Sequence, residues 1–170
     1  LLDYDYTTPG AYFVTIGTQN RGCLFGEILD GQLRLNELGR IVSEEWLRTA
    51  AIRSSIAIDE FIVMPNHFHG LLLINCRGTA RRAPTVERFG KPVSGSLPTI
   101  IRSFKSAVTR RINQYRKTFG RLLWQRGYYE RVVRNNEELN SLRKYIMDNP
   151  AQWFFDEKNP DRSNQGNQSE

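Results

Sequence analysis

The sequence predicts an α+β fold: an antiparallel, ferredoxin-like sheet with helices on one face. Three observations carry this. Segments rich in aromatic and β-branched residues at 11–18, across 56–74 and around 128–133 read as strands. Stretches at 37–51, at 99–117 and after 135 carry apolar residues at helical spacing. Their order is strand, helix, strand, strand, helix, strand and a terminal helix, the split β-α-β arrangement. With 170 residues, one domain over 1–155 is expected, long enough for a real core. The closing stretch, DEKNPDRSNQGNQSE (156–170), is too polar to form a core and is expected to be a disordered tail.

Ala11 to Thr18 (AYFVTIGT) is the first strand, punctuated by Asn20-Arg21-Gly22. Cys23–Leu29 and Gln32–Leu35 flank Asp30-Gly31, a hairpin-turn dipeptide. Asn36 is placed to cap a helix over Glu37–Ala51, whose stripe is Leu38, Ile41, Val42, Trp46 and Leu47. Residues 77–98 gather Pro, Gly and Ser without periodicity and predict a long basic loop. Thr99–Lys117 predicts a helix with Ile101, Phe104, Val108, Ile112 and Tyr115 inward and Arg102, Lys105, Thr109, Asn113 and Arg116 on a neighbouring face. Asn135 caps the last helix, with Glu138 completing a capping box. Leu139, Leu142 and Ile146 face inward, and Pro150 is expected to bend or end the helix.

Charge is segregated. The net charge is +6, but residues 77–134 hold 15 of the 24 Lys/Arg and only 2 of the 18 acids, a net of +13, leaving −7 elsewhere. Such a distribution is the footprint of a polyanion-binding face. Nucleic acid is favoured over membrane, because the basic segment has no helix with a whole face of large apolar anchors. No apolar run approaches the ~18 residues of a membrane span, and the start, LLDYDYTTPG, lacks a signal-peptide pattern. Cys23 and Cys76 are too isolated for a disulfide framework and read as reduced thiols of a cytoplasmic protein.

The two histidines of the chain, His67 and His69, both fall in DEFIVMPNHFHGLLLI (59–74), which reads as a buried hairpin turning at Pro65-Asn66. Side chains at i and i+2 of a strand share a face, so both imidazoles point one way and Phe68 the other. Two imidazoles on one face make half of a metal site. Burying both without a partner would be costly.

The segments MPNHFHGLLLI, RSFKSAVTRRIN, WQRGYYERVVRN and LRKYIMDNPAQW together resemble the single-tyrosine HUH transposases of bacterial insertion sequences, in the branch that includes the REP-associated tyrosine transposases; the likeness runs over about residues 4 to 160. The resemblance implies the HUH endonuclease fold, with His67 and His69 as ligands of Mg²⁺ or Mn²⁺, Tyr145 as nucleophile and Asn149, one turn later, assisting the metal. It implies a DNA strand-transferase that cuts and rejoins single-stranded DNA near hairpins through a 5′-phosphotyrosine. Tyr128 and Tyr129 are rival nucleophiles, and relatives often have a histidine where this chain has Arg131. Candidate DNA contacts are Arg81, Arg82, Arg102, Lys105, Arg110, Arg116, Arg126, Arg131 and Arg134. A homodimer, with Tyr145 serving its own or the partner's metal, stays open. Two rival readings remain: a non-catalytic nucleic-acid-binding domain on the same sheet, and a structural zinc protein drawing on Cys76.

Overall fold

The computed structural model describes residues 9–75, 93 and 95–160. Its strands are β1 (Gly10–Gly17), β2 (Gly26–Leu29), β3 (Gln32–Leu35), β4 (Ile56–Met64), β5 (His67–Ile74) and β6 (Tyr129–Val133), and its helices α1 (Glu37–Ala51), α2 (Leu97–Arg116) and α3 (Asn136–Gln152). The main sheet is antiparallel in the order β4-β5-β1-β6, and β2-β3 form a separate hairpin. Strand β1 therefore connects through α1 to β4 across the intervening β5, the split arrangement expected from the order of elements.

Local chemistry accounts for most boundaries. Asp30 and Gly31 both take positive φ, 52° and 72°, as a two-residue hairpin turn of the primed kind requires. The Asn36 side chain accepts from the Leu38 and Gly39 amides at the start of α1. Ser96 caps α2 two residues earlier than periodicity indicated, with Pro98 in its first turn. Asn135 Oδ1 accepts from Glu138 N, while the Glu138 carboxylate reaches back to Arg134 N, a capping box displaced by one residue. Helix α3 runs through Pro150 to Gln152 and ends in a 3-10 turn at Trp153–Phe155.

Alternation along β5 divides the interior. Phe68, Leu72 and Ile74 face α1 and α2, where Trp46, Phe68 and Phe104 pack with ring centroids 4.7–5.4 Å apart. Gly70 lies on that face, and a Cβ there would stand 2.8 Å from the Phe68 ring and from Trp46 Cζ2. On the opposite face Phe13, Leu71 and Ile146 form a smaller cluster beneath α3. The two helices within the split β-α-β pattern thus share one face, as expected, and the terminal helix covers the other.

The inward stripes need two corrections. Leu47 and Tyr115 are exposed, and the buried positions beside them include Glu45 and Thr49. Glu45 lies beneath Arg111 of α2, 2.8 Å away, so a charged bridge joins α1 to α2. The basic loop, with Arg81, Arg82 and also Cys76, lies outside the described residues, apart from Val93 and 95–98. Among the described residues no helix is long and apolar enough to cross a membrane.

Candidate metal centre and tyrosine site

Strand β5 delivers His67 and His69 to the α3 face, where both are almost fully buried. Their Nε2 atoms are 3.0 Å apart. Each Nδ1 has its own partner. His67 Nδ1 is 2.8 Å from Asn66 Oδ1, and His69 Nδ1 is 2.7 Å from Thr15 Oγ1 on the neighbouring strand. The Asn66 amide nitrogen donates to Arg21 O and Lys158 O, so its oxygen is the end left to accept from His67 Nδ1–H. That tautomer leaves the lone pair on Nε2. Thr15 Oγ1 can donate or accept, so His69 offers Nε2 either as a lone pair, leaving two acceptor nitrogens 3.0 Å apart that a cation can bridge, or as an N–H donating to His67 Nε2.

Burial holds both rings neutral. It is the main cause pushing His67 down to about 2, helped by the neighbouring His69 and Lys158, and His69 down to about 3, helped by Lys158. Neutral imidazoles are the ligating form. The separation suits adjacent ligands of one ion at metal–nitrogen lengths of about 2.1 Å. Asn149, on α3, is buried, and its Oδ1 has no hydrogen-bond partner among the described residues. An orphaned buried oxygen lining a cleft fits a hard divalent cation. Among the described residues no three His, Cys, Asp or Glu groups are arranged to hold an ion, so a third protein ligand beside the two imidazoles would have to be of another kind, such as an amide oxygen.

Tyr145 lies on the same face, one helical turn before Asn149. Its hydroxyl is 3.4 Å from His69 Nε2, and its ring packs edge-on against His69 and Phe13. Burial raises its pKa; the hydrogen bond with the Asn149 side chain opposes this, and the Asp156 carboxylate adds to it. The phenol is therefore protonated at neutral pH and needs a polarised target.

Helix α3 meets β4 at a bulge. The β4/β5 register shifts between Ile58 and Phe61. There Asp59 takes a two-pronged bond from Arg143, with Nε to Oδ1 at 2.9 Å and Nη2 to Oδ2 at 2.6 Å. Arg143 sits two residues before Tyr145. The segment after α3, assigned to the tail by composition, also reaches the site. Asp156 Oδ2 is 3.9 Å from His67 Nε2, and Lys158 lines the clefts beside both histidines.

The structure thus brings His67, His69, Tyr145 and Asn149 onto one face of the sheet. Of the basic candidates, Arg126 is exposed in the cleft beside His67. Arg131 lines the Tyr145 cleft and pairs with Glu138 at 2.5 Å. Arg134 is exposed at the end of β6. Lys105 is committed, its Nζ donating to Gln125 O and Gly127 O, both at 2.8 Å. Arg102, Arg110 and Arg116 are exposed along α2, in the helix layer on the far side of the sheet. Tyr129 lines the clefts on both sides of the histidine pair, and Tyr128 is half-buried beside the main core. Sequence reasoning missed Asn66, Thr15, Asp59, Arg143, Asp156 and Lys158. Only Asn66 had a signal, its place in the turn before His67.

No protein-family model matches the chain. An uncharacterized protein of Haemophilus influenzae is 35% identical over 162 residues, covering 92% of this chain and 89% of the relative. Among solved structures, a REP-associated tyrosine transposase bound to a REP hairpin aligns with a TM-score of 0.56 at 18% identity, over 84% of this chain and 67% of that one. That likeness shows a shared α+β fold with an antiparallel sheet. By its extended sequence identity, the chain belongs to the family of the Haemophilus influenzae protein, on a fold it shares with that tyrosine transposase.

Proposed function

We propose that the protein is a metal-dependent, single-tyrosine DNA strand-transferase of the transposase type, acting on single-stranded DNA beside hairpins. The observation that carries this is the convergence of Tyr145 Oη on His69 Nε2 at 3.4 Å, next to an imidazole pair whose ligating nitrogens are 3.0 Å apart. The shared fold adds support, since the solved transposase is bound to a hairpin.

His67, His69 and Asn149 would hold Mg²⁺ or Mn²⁺; mixed nitrogen and oxygen ligation suits the latter and admits the former with waters. Such an ion, when bound, supplies polarisation of the phosphodiester and neutralises developing charge. The protein's own groups do the rest. Asn66 fixes the His67 tautomer, and Asn66 and Thr15 together hold the two ring planes. The Asp59–Arg143 contact sets the reach of Tyr145. Attack forms a Tyr145 Oη–P bond and breaks the P–O3′ bond. The phenolic proton is lost to solvent and the departing 3′ oxygen gains one. One phosphoester replaces another, so the reverse step rejoins strands without ATP.

Labelled hairpin DNA with single-stranded flanks, incubated with protein and Mn²⁺ or Mg²⁺ and run on denaturing gels, tests this. Wild type yields a covalent adduct, and Tyr145→Phe lowers its formation about 10³-fold or more. Equal adduct from Tyr145→Phe would remove the nucleophile assignment. Salt-sensitive binding that survives His67→Ala and His69→Ala, with no adduct from wild type, would leave a nucleic-acid-binding domain instead.

A further inference from the structure

One groove runs along the histidine face of the sheet, with the imidazole pair at its middle. Alternate residues of β1 line it in order: Phe13 at the Tyr145 end, Thr15 at the centre and Gly17 at the other end. Arg131 and Tyr129 of β6 stand opposite Phe13 and Thr15. From Phe13 to Gly17 the run is about 13 Å. The half with His69 and Tyr145 encloses about 490 Å³, and the half beyond His67 about 320 Å³.

Displacement at phosphorus places the attacking and leaving oxygens roughly in line, on opposite sides of the phosphorus. Tyr145 stands at the His69 end, so attack in line on a phosphorus at the imidazole pair would send the leaving oxygen towards the His67 end. We propose that the half-groove lined by Gly17, Gln125, Arg126 and Tyr129 seats the nucleoside whose 3′ oxygen leaves, and that the Gln125 amide reads its base. This rests on the strand-transfer reading and adds to it a position and a specificity residue.

The half-groove is built for such an occupant. Gln125 N donates to Gly17 O at 2.9 Å, while Lys105 Nζ holds Gln125 O and Gly127 O from behind. The Gln125 backbone is therefore fixed before substrate arrives. Its side chain lies over Gly17, where a Cβ would stand 2.9 Å from Oε1; any larger residue there would push the amide away. An amide offers both a donor and an acceptor to a base edge. Tyr129, 57% exposed, presents a ring for stacking, and Arg21, Arg126 and Lys158 supply charge for phosphates.

The test uses a hairpin oligonucleotide with randomised single-stranded flanks, incubated with the full chain and Mn²⁺. Strands released with a 3′-hydroxyl are sequenced, and their last nucleotide is the one in question. Wild type shows a base preference there, and an abasic site at that position slows its cleavage about tenfold. Gln125→Ala flattens the preference at that position alone. Gln125→Glu, which can only accept, shifts it towards bases presenting an amino group. Arg126→Ala weakens cleavage of all bases alike. An unchanged preference in both Gln125 variants, with adduct still formed, would overturn the assignment of this half-groove. Absence of adduct from wild type would remove the strand-transfer reading itself, and the inference with it.

Discussion

Asn66 shows how much a residue beside the ligands decides. Its amide bridges three segments, holding Arg21 O at 3.1 Å and Lys158 O at 2.6 Å while its oxygen faces His67 Nδ1. Because both donors are engaged, the oxygen cannot exchange places with the nitrogen without losing two bonds. That single orientation sets which imidazole nitrogen carries a lone pair. Asn66→Ala is therefore expected to weaken Mn²⁺ binding by about 10- to 100-fold. Titration of Mn²⁺ followed by its paramagnetic resonance signal reads this without any turnover. At the same scale, Asn149 Oδ1 is a buried oxygen with no partner among the described residues, which is what recommends it as the oxygen ligand of the proposed ion. The resemblance named Asn149, but its burial is a property of the fold.

At the scale of elements, two contacts hold the histidine strand and the tyrosine helix in their relative places. Gly70 lets Trp46 and the Phe68 ring close over β5 from the α1 side. Gly70→Val would force a side chain into that contact, and a loss of about 1–3 kcal/mol in urea unfolding is expected. On the other face, α3 is clipped to the β4 bulge by Asp59 and Arg143. The Arg143 hydrogen bond, with smaller help from the Glu60 amide and the guanidinium charge, holds the Asp59 carboxyl below its ordinary value against the opposing effect of burial. A carboxyl with a depressed folded pKa adds stability that is fully present above its unfolded pKa and is lost as pH falls through the folded one. Wild type should thus exceed Asp59→Asn in Tm at neutral pH, and the difference should shrink as pH drops below about 4. A difference that stays constant with pH would mean that the clip does not act through its charge. The Asp59→Asn protein should also form adduct more slowly, because Tyr145 is two residues from the released Arg143.

For the whole molecule, the relevant quantity is where charge lies. The excess of +13 over 77–134 is spread over α2, the α2–β6 connection and β6, together with residues outside the described set. Arg126 and Arg131 are on the histidine face, whereas Arg102, Arg110 and Arg116 belong to the helix layer behind the sheet. Single-stranded DNA binding should therefore weaken steeply and log-linearly with salt. Arg126→Ala should reduce that slope by about one, as a phosphate contact does, and fluorescence anisotropy across a salt series measures both. A slope unchanged in Arg126→Ala would place the strand elsewhere on the protein.

What the amino-acid order determined by itself is everything that depends on neighbours within a few residues. Asn36 and Asn135 announce helix starts, Asp30-Gly31 a hairpin turn, and His-Phe-His two rings on one face of a strand. These are set by backbone dihedrals and short hydrogen bonds, which act locally. The failures are mostly of position: Leu47 and Tyr115 fit a helical stripe but face solvent, and Asp156 and Lys158, polar enough to be read as tail, lie beside the histidines, because the surroundings of a residue depend on what packs against it. Only the tertiary structure decided that Tyr145 meets His69 across 76 residues, that Arg143 meets Asp59 across 84, and that Asn66 meets Lys158 across 92. Those meetings depend on strand register, on one bulge and on which face of the sheet the last helix covers, and no spacing within a single segment encodes them.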